Sequence, residues 1–300
     1  MPTTTSLTTT YAGKEAAGYI RAAFLSNESL AAVTFKENIE YKQVVRKLVD
    51  NVTFANATCD FTPTGTVTLT ERILTLEKFQ IHRQLCKKDF LADWEAKAEQ
   101  DGFLHASLTD ALIANVLAGM AANNERLIWQ GVNATAGEYA GFETLFLADG
   151  DVIDVSTPVA IDDTNVIDEM KRLVAACPIK VRRATEKPVI AVSSNVAEAY
   201  RNAVLGLGSG SYLYQGEEVK MTWNGQYEII ECPGMSDDTM AMYQKSNLWF
   251  GTNLKDQWNN VAVLDMYQYD LSDNVRFAAS FFAGVQYGFG NEIAFYQYTA

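Results

Sequence analysis

Two histidines, His82 and His105, and four cysteines, Cys59, Cys86, Cys177 and Cys232, are the first places to look for nucleophilic or metal chemistry. Their spacing speaks against both. Neither histidine has an acid or a cysteine placed as its partner, so a nucleophile–base–acid set has only composition behind it. His82 and Cys86 stand four residues apart, a ligand spacing on a helix but not on a strand, and no second pair follows. No two cysteines form Cys-x-x-Cys, which leaves a zinc ribbon or a disulfide framework without support. Four reduced, mostly buried thiols are expected, and these fit a cytosolic site of folding.

Other constellations resolve in the same direction. Gly206-Leu207-Gly208-Ser209-Gly210-Ser211 follows a helical segment and precedes Tyr212-Leu213-Tyr214. A phosphate-binding turn needs the reverse order, strand before and helix after, so this is read as a flexible loop. Asp149, Asp151 and Asp154 lack the spacing and the glycine of a calcium loop and are expected to form a solvated acidic turn. Glu71, Arg72, Glu77 and Lys78 lie on a strand-like ribbon, where they are more simply surface or docking charges. No catalytic residue, cofactor-binding residue or metal ligand is assigned, and an enzyme is not expected.

The elements that carry these residues suggest a large core and an incomplete surface. The chain has 300 residues, 48% of them hydrophobic, and 37 acids against 24 bases, for a net charge of −13. Such a chain buries a real core and repels nucleic-acid phosphates as a whole. No stretch reaches the roughly 18 uninterrupted apolar residues needed to span a bilayer. The opening Met1-Pro2-Thr3-Thr4-Thr5-Ser6-Leu7 lacks the basic and apolar regions of a secretory signal. Residues 1–13 carry no charge and read as an extended arm, followed by a short helix over Lys14–Leu25.

The segment 35–90 differs in kind. Tyr41–Phe54 and Thr66–Arg83 read as strands flanking the turn cluster Asp60-Phe61-Thr62-Pro63-Thr64-Gly65. As one strand, the second run would extend roughly 60 Å, far beyond the usual strand. Its alternation is imperfect: Val67, Leu69, Ile73, Phe79 and Ile81 share one parity, while Leu74 and Leu76 take the other. A two-stranded ribbon apolar on both faces is not stable alone and needs a surface, its own or a neighbour's. The segment is net +2 on a chain whose remainder is net −15, which suits docking onto another copy.

Beyond the ribbon, Phe90–Asp101 reads as a short amphipathic helix. Ser107 followed by Asp110 signals the start of a long one, Leu108–Gln130, stopped by Gly131. Its apolar stripe is broad enough to be covered on more than one side. From 165 to 231 helix and strand alternate. A helical face ends at Cys177-Pro178, Val189–Val192 reads as a buried strand, Asn195 with Glu198 caps a helix through Val204, and Asn224-Gly225 makes a type I′ hairpin turn. The aromatic C-terminal part, with Phe281, Phe282, Tyr287, Phe289, Phe295 and Tyr296, suits a sheet core and a subunit contact equally.

In order, these elements resemble the major capsid proteins of tailed bacteriophages, the Hong Kong ninety-seven type. Asn124-Glu125-Arg126-Leu127-Ile128-Trp129-Gln130-Gly131 is similar to the end of that family's spine helix. Lys245–Leu254 resembles a late segment of many such capsids, and Arg276-Phe277 with Gly284–Tyr287 through Ile293–Phe295 looks like their final strands. The resemblance implies an α+β tailed-phage major capsid fold: N-terminal arm (1–34), extended β-hairpin loop (35–90), peripheral domain with the spine helix (91–160 and 260–300) and axial α/β domain (161–259). It further implies self-assembly through hexamers and pentamers into an icosahedral shell around double-stranded DNA held without sequence-specific contact. The virion would be the final location and the host cytoplasm the place of assembly. Arg46, Lys47, Arg72, Lys78 and Arg83 would make inter-subunit contacts. A separate scaffolding protein, a portal and decoration proteins are the implied partners, with no membrane; the Lys–Asn crosslink of some relatives has no matching motif here and is not expected. An encapsulin, the cellular shell of the same fold that holds cargo enzymes, is the alternative.

Overall fold

The computed structural model describes residues 28–37, 39, 42–50, 53–54, 56, 64–86, 105–206, 221–253, 261–272 and 274–299. The first 27 residues of the expected N-terminal arm, with the helix at Lys14–Leu25, the helix at Phe90–Asp101, Cys59, most of the turn cluster at 60–65 and all but the first residue of the Gly206–Ser211 loop lie outside them. Two sheets organise the described chain. In the first, β1 (Thr34–Lys36) runs parallel to β10 (Leu248–Thr252). The long β12 (Asn274–Tyr287) receives β11 (Val261–Asp265) and then β10 along one edge. Its other edge takes β4 (Glu77–Cys86) over ten residue pairs. The alternating apolar side chains of β12 face a core with Trp129, Phe146, Phe250, Phe277 and Phe295. The aromatic C-terminus is therefore core, with Phe281, Tyr287, Phe295 and Tyr296 all buried.

The second sheet has six strands in the order β5 (Ile153–Asp154), β13 (Ala294–Gln297), β9 (Thr239–Tyr243), β6 (Val189–Val192), β8 (Tyr227–Glu231) and β7 (Thr222–Trp223). β6 is central and buried along its whole length, which explains its unbroken apolar run. Helix α3 (Val166–Ala176), followed by the short α4 (Ile179–Arg182), turns Val166, Met170 and Leu173 inward at helical spacing, against Val196 and Ala203 of α5 (Ser194–Gly206). Asn224 and Gly225 have φ of 51° and 67°, and the turn closes with Gln226 N–H on the Trp223 carbonyl at 3.0 Å. Asn195 lies inside α5 rather than capping it. Its amide clasps Asp238 instead, with Nδ2 donating to Oδ1 at 2.6 Å.

Helix α1 (His105–Gln130) begins before the Ser107 start signal, so that serine sits in its first turn. Over its described half Met120 and Asn124 turn inward while Ala118, Gly119, Ala122 and Asn123 are exposed, and in the last turn Leu127, Ile128 and Trp129 are all buried. The coverage on more than one side expected from its broad stripe holds in that last turn and not before it, where small residues broaden the stripe without needing burial. Two carboxylates tie helices to distant segments, Glu143 of α2 (Phe142–Ala148) to the loop between β8 and β9 and Glu125 of α1 to Ser29. Glu143, 3% exposed, accepts from Ser236 N–H at 2.8 Å and its hydroxyl at 2.6 Å, and burial pushes its carboxyl upward. Glu125 accepts from the Ser29 amide at 3.2 Å, and Trp129 Nε1 donates to the Ser29 hydroxyl at 2.7 Å.

Candidate functional site

The segment with no place in either sheet is the hairpin of β2 (Lys42–Asp50) and β3 (Val67–Thr75), which pair with each other in a separate two-stranded sheet. Their register sets Val44 against Ile73 and Arg46 against Glu71, and brings Leu69 and Val67 onto the same face. That face is open: Val44 is 48% exposed, Ile73 46%, Leu69 56% and Val67 63%. Nine residues per strand give a ribbon of about 30 Å. The single long strand expected over Thr66–Arg83 is two strands, parted at Leu76.

The off-parity leucines explain the break. Leu74 and Leu76 are fully buried in a small cluster with Ile39 and Trp249, against which Val45 and Phe282 pack. This cluster lies on the outer face of the first sheet. Past Leu76 the chain drops into the sheet as β4, and the buried parity switches to Phe79 and Ile81, which face the main core. Phe79 meets the Phe281 ring at 5.7 Å between centroids. The ribbon thus stands on a root built into its own chain, while its outer part has no cover among the described residues.

Two glycines make the seat. Gly251 and Gly284 are direct register partners on β10 and β12. A Cβ on Gly284 would come within 2.4 Å of the Thr75 carbonyl oxygen, and one on Gly251 within 2.8 Å of Leu74 Cδ2. The bare patch lets the hairpin root approach the sheet at backbone distance.

An ionic latch closes the root from the side. Arg72 pairs with Asp149, and its guanidinium lies 4.5 Å from the centre of the Tyr287 ring. The Tyr287 hydroxyl donates to Asp149 Oδ2 at 2.5 Å. The Tyr287 hydroxyl first, then the Arg72 guanidinium, hold the Asp149 carboxyl down to about 2. Asp149 is therefore not part of a solvated acidic turn, whereas Asp151 and Asp154 are exposed as that reading requires. With a depressed folded pKa, the latch contributes fully above the ordinary carboxylate range and is lost as pH falls through the folded value. Asp149→Asn is expected to cost about 2 kcal/mol at neutral pH. In thermal unfolding measured against pH, the gap to the parent should close between about pH 5 and pH 2. A gap independent of pH would remove the latch.

The five basic residues singled out from the sequence do not form one cluster. Arg46 is exposed on the hairpin and pairs with Glu71 across the strands at 3.2 Å. Lys47 stands opposite Thr70 in the register. Arg72 is engaged by Asp149 of its own chain. Lys78 and Arg83 lie on β4, opposite Phe282 and Phe277 of β12, and both are exposed. Asp149, Tyr287, Gly251 and Gly284 went unread as parts of the root. The parity slip at Leu74 and Leu76 was the one signal in the sequence that marked it. His82 is exposed on β4, and Cys177 and Cys232 are buried free thiols. Among the described residues no group of three or more His, Cys, Asp or Glu side chains is placed to hold a metal ion. Nor is any described helix long and apolar enough to cross a membrane.

No family profile and no curated protein matches the sequence. Solved structures do. The capsid chain of a native GTA particle superposes with a TM-score of 0.63 at 16% identity, over 100% of this chain and 96% of that one. A chain of the satellite phage P4 procapsid gives a TM-score of 0.56 at 12% identity, over 93% and 98%. A virus-like particle from Pyrococcus furiosus gives 0.53 at 8% identity, over 94% and 98%. The chain has the α+β fold of tailed-phage major capsid proteins.

Proposed function

We propose that this chain is a shell-forming subunit that assembles through copies of itself into an icosahedral container for double-stranded DNA, and that it is not an enzyme. The observation that carries this reading is the hairpin, an exposed apolar ribbon on a root that its own chain builds with care. No described residue of the chain covers it, and copies of the same chain are the partners a shell supplies. In this reading residues 35–90 reach over a neighbour, 91–160 with 260–300 form the peripheral domain, and 161–259 form the axial domain near the capsomer centre. A scaffolding protein, a portal and decoration proteins complete the particle, which assembles in the host cytoplasm.

Lys78 and Arg83 stand exposed on β4, where a neighbour's acidic surface can reach them. Lys78→Glu with Arg83→Glu should lower the yield of particles by about tenfold, counted by negative-stain microscopy of expressed protein, with scaffold added if required. A parent chain that stays monomeric under all conditions would end the shell reading. The likeness to the Pyrococcus furiosus virus-like particle supports a second reading, a shell that holds cargo enzymes. Nuclease-protected DNA inside purified particles decides for the first, and co-purifying protein cargo without DNA for the second.

A further inference from the structure

Charge is sorted along this chain with unusual sharpness. Residues 127–170 hold nine acids and no lysine or arginine, and residues 171–187 hold six bases and one acid. Helix α3 runs from the first block into the second, so its 11 residues set the two about 16 Å apart. Part of the sorting answers local needs. Asp168 and Glu169 sit in the first turn of α3, where the helix dipole favours them, and pair with Lys171 and Arg172. Asp149, Glu138 and Lys180 find opposite charges in Arg72, Arg126 and Glu292. Asp154, Asp162 and Asp163 are exposed beside Val159, itself 43% exposed. At the other end Arg183 and Lys187 are exposed beside Ile179, which is 57% exposed. None of these five charged groups has an opposite charge as partner among the described residues. The Nε of Arg182 is buried there with no hydrogen-bond partner.

We infer that the acidic end of one copy docks on the basic end of the next, Asp154, Asp162 and Asp163 with Val159 against Arg183 and Lys187 with Ile179. The inference rests on the shell reading and names a contact between neighbouring copies, from residues 154–163 of one to residues 179–187 of the next. Separate patches of opposite sign on one chain, set apart by the length of α3, suit a head-to-tail contact, the geometry that closes rings. Each copy supplies both halves in equal number, and each patch pairs one exposed aliphatic side chain with its charges. A nucleic acid does not fit as well: the body around the basic segment is acidic and repels phosphates.

The test reverses each end in the full-length chain. Arg183→Glu with Lys187→Glu makes both ends acidic, and Asp154→Lys with Asp163→Lys makes both basic. Asp162 is left alone, because its Oδ1 accepts from Thr164 and Asn165 and shapes the turn into α3. Particle yield by microscopy and small oligomers by sedimentation are both read. Each variant alone should give at least tenfold less assembly than the parent, and an equimolar mixture should recover to within about threefold. Arg183→Gln with Lys187→Gln, which adds no repulsion, should weaken assembly and flatten its dependence on salt. Variants that assemble like the parent, or a mixture no better than its components with the neutral pair silent, would overturn the contact. Parent particles with indifferent variants discard this contact and keep the shell. Patch-dependent oligomers without particles discard the shell and keep the contact.

Discussion

Leu69→Asp combined with Ile73→Asp is expected to cut particle yield at least a hundredfold while leaving the melting temperature of the unassembled chain within about 2 °C of the parent. Both side chains are about half exposed in the single chain, and substitutions at such positions usually stay within about 0.5 kcal/mol. The unassembled molecule has little to lose. An assembled one has much to lose, because each carboxylate carried into an apolar contact without a partner costs roughly 2–5 kcal/mol. Each 1.4 kcal/mol is a factor of ten in association, and a shell repeats the contact at every subunit. Leu69→Met with Ile73→Val keeps the surface apolar and should keep the yield. Microscopy and differential scanning calorimetry on the same preparations separate the two effects. Normal particles from the double aspartate variant would show that the open face of the ribbon is not what holds copies together.

What the sequence disclosed follows the reach of each signal. Val189–Val192, Asn224-Gly225 and the face of α3 were legible because a strand run, a turn with two positive φ angles and a helical period are written in consecutive residues. The two arms of the ribbon were legible for the same reason. The partners that seat the ribbon were not. Arg72 and Asp149 are 77 residues apart, and Arg276 meets Gln84 of β4 across 192. No local pattern marks β4 as belonging to the sheet rather than to the ribbon. Only the parity slip at Leu74 and Leu76 hinted that the chain changes layers there. Composition misled at α1, where alanine and glycine count as apolar yet stand in the open.

The root also explains why glycine stands at two places in the stretches that resemble capsid segments, and it orders the cost of filling them. At Gly284 a new Cβ meets the Thr75 carbonyl oxygen, part of the backbone that leads into β4 and cannot swing aside. At Gly251 it meets Leu74 Cδ2 at 2.8 Å and Ile39 Cδ1 at 2.9 Å, the far ends of side chains that can turn. Gly284→Ala is therefore expected to cost roughly 2–4 kcal/mol, the range of an overpacked site whose relief needs a backbone shift. That corresponds to a fall in melting temperature of about 5–10 °C. Gly251→Ala should cost no more than about 1.5 kcal/mol, because rotamer changes absorb the overlap. The two substitutions add the same methyl group to neighbouring register partners, so composition and helix or strand preference cancel in the comparison. Limited proteolysis adds a second axis. Lifting Thr75 off the sheet frees the hairpin at its base, and cleavage within residues 42–75 should quicken in Gly284→Ala well before the core unfolds. Equal costs at the two glycines, or a larger one at Gly251, would mean that the ribbon is not seated on that bare patch.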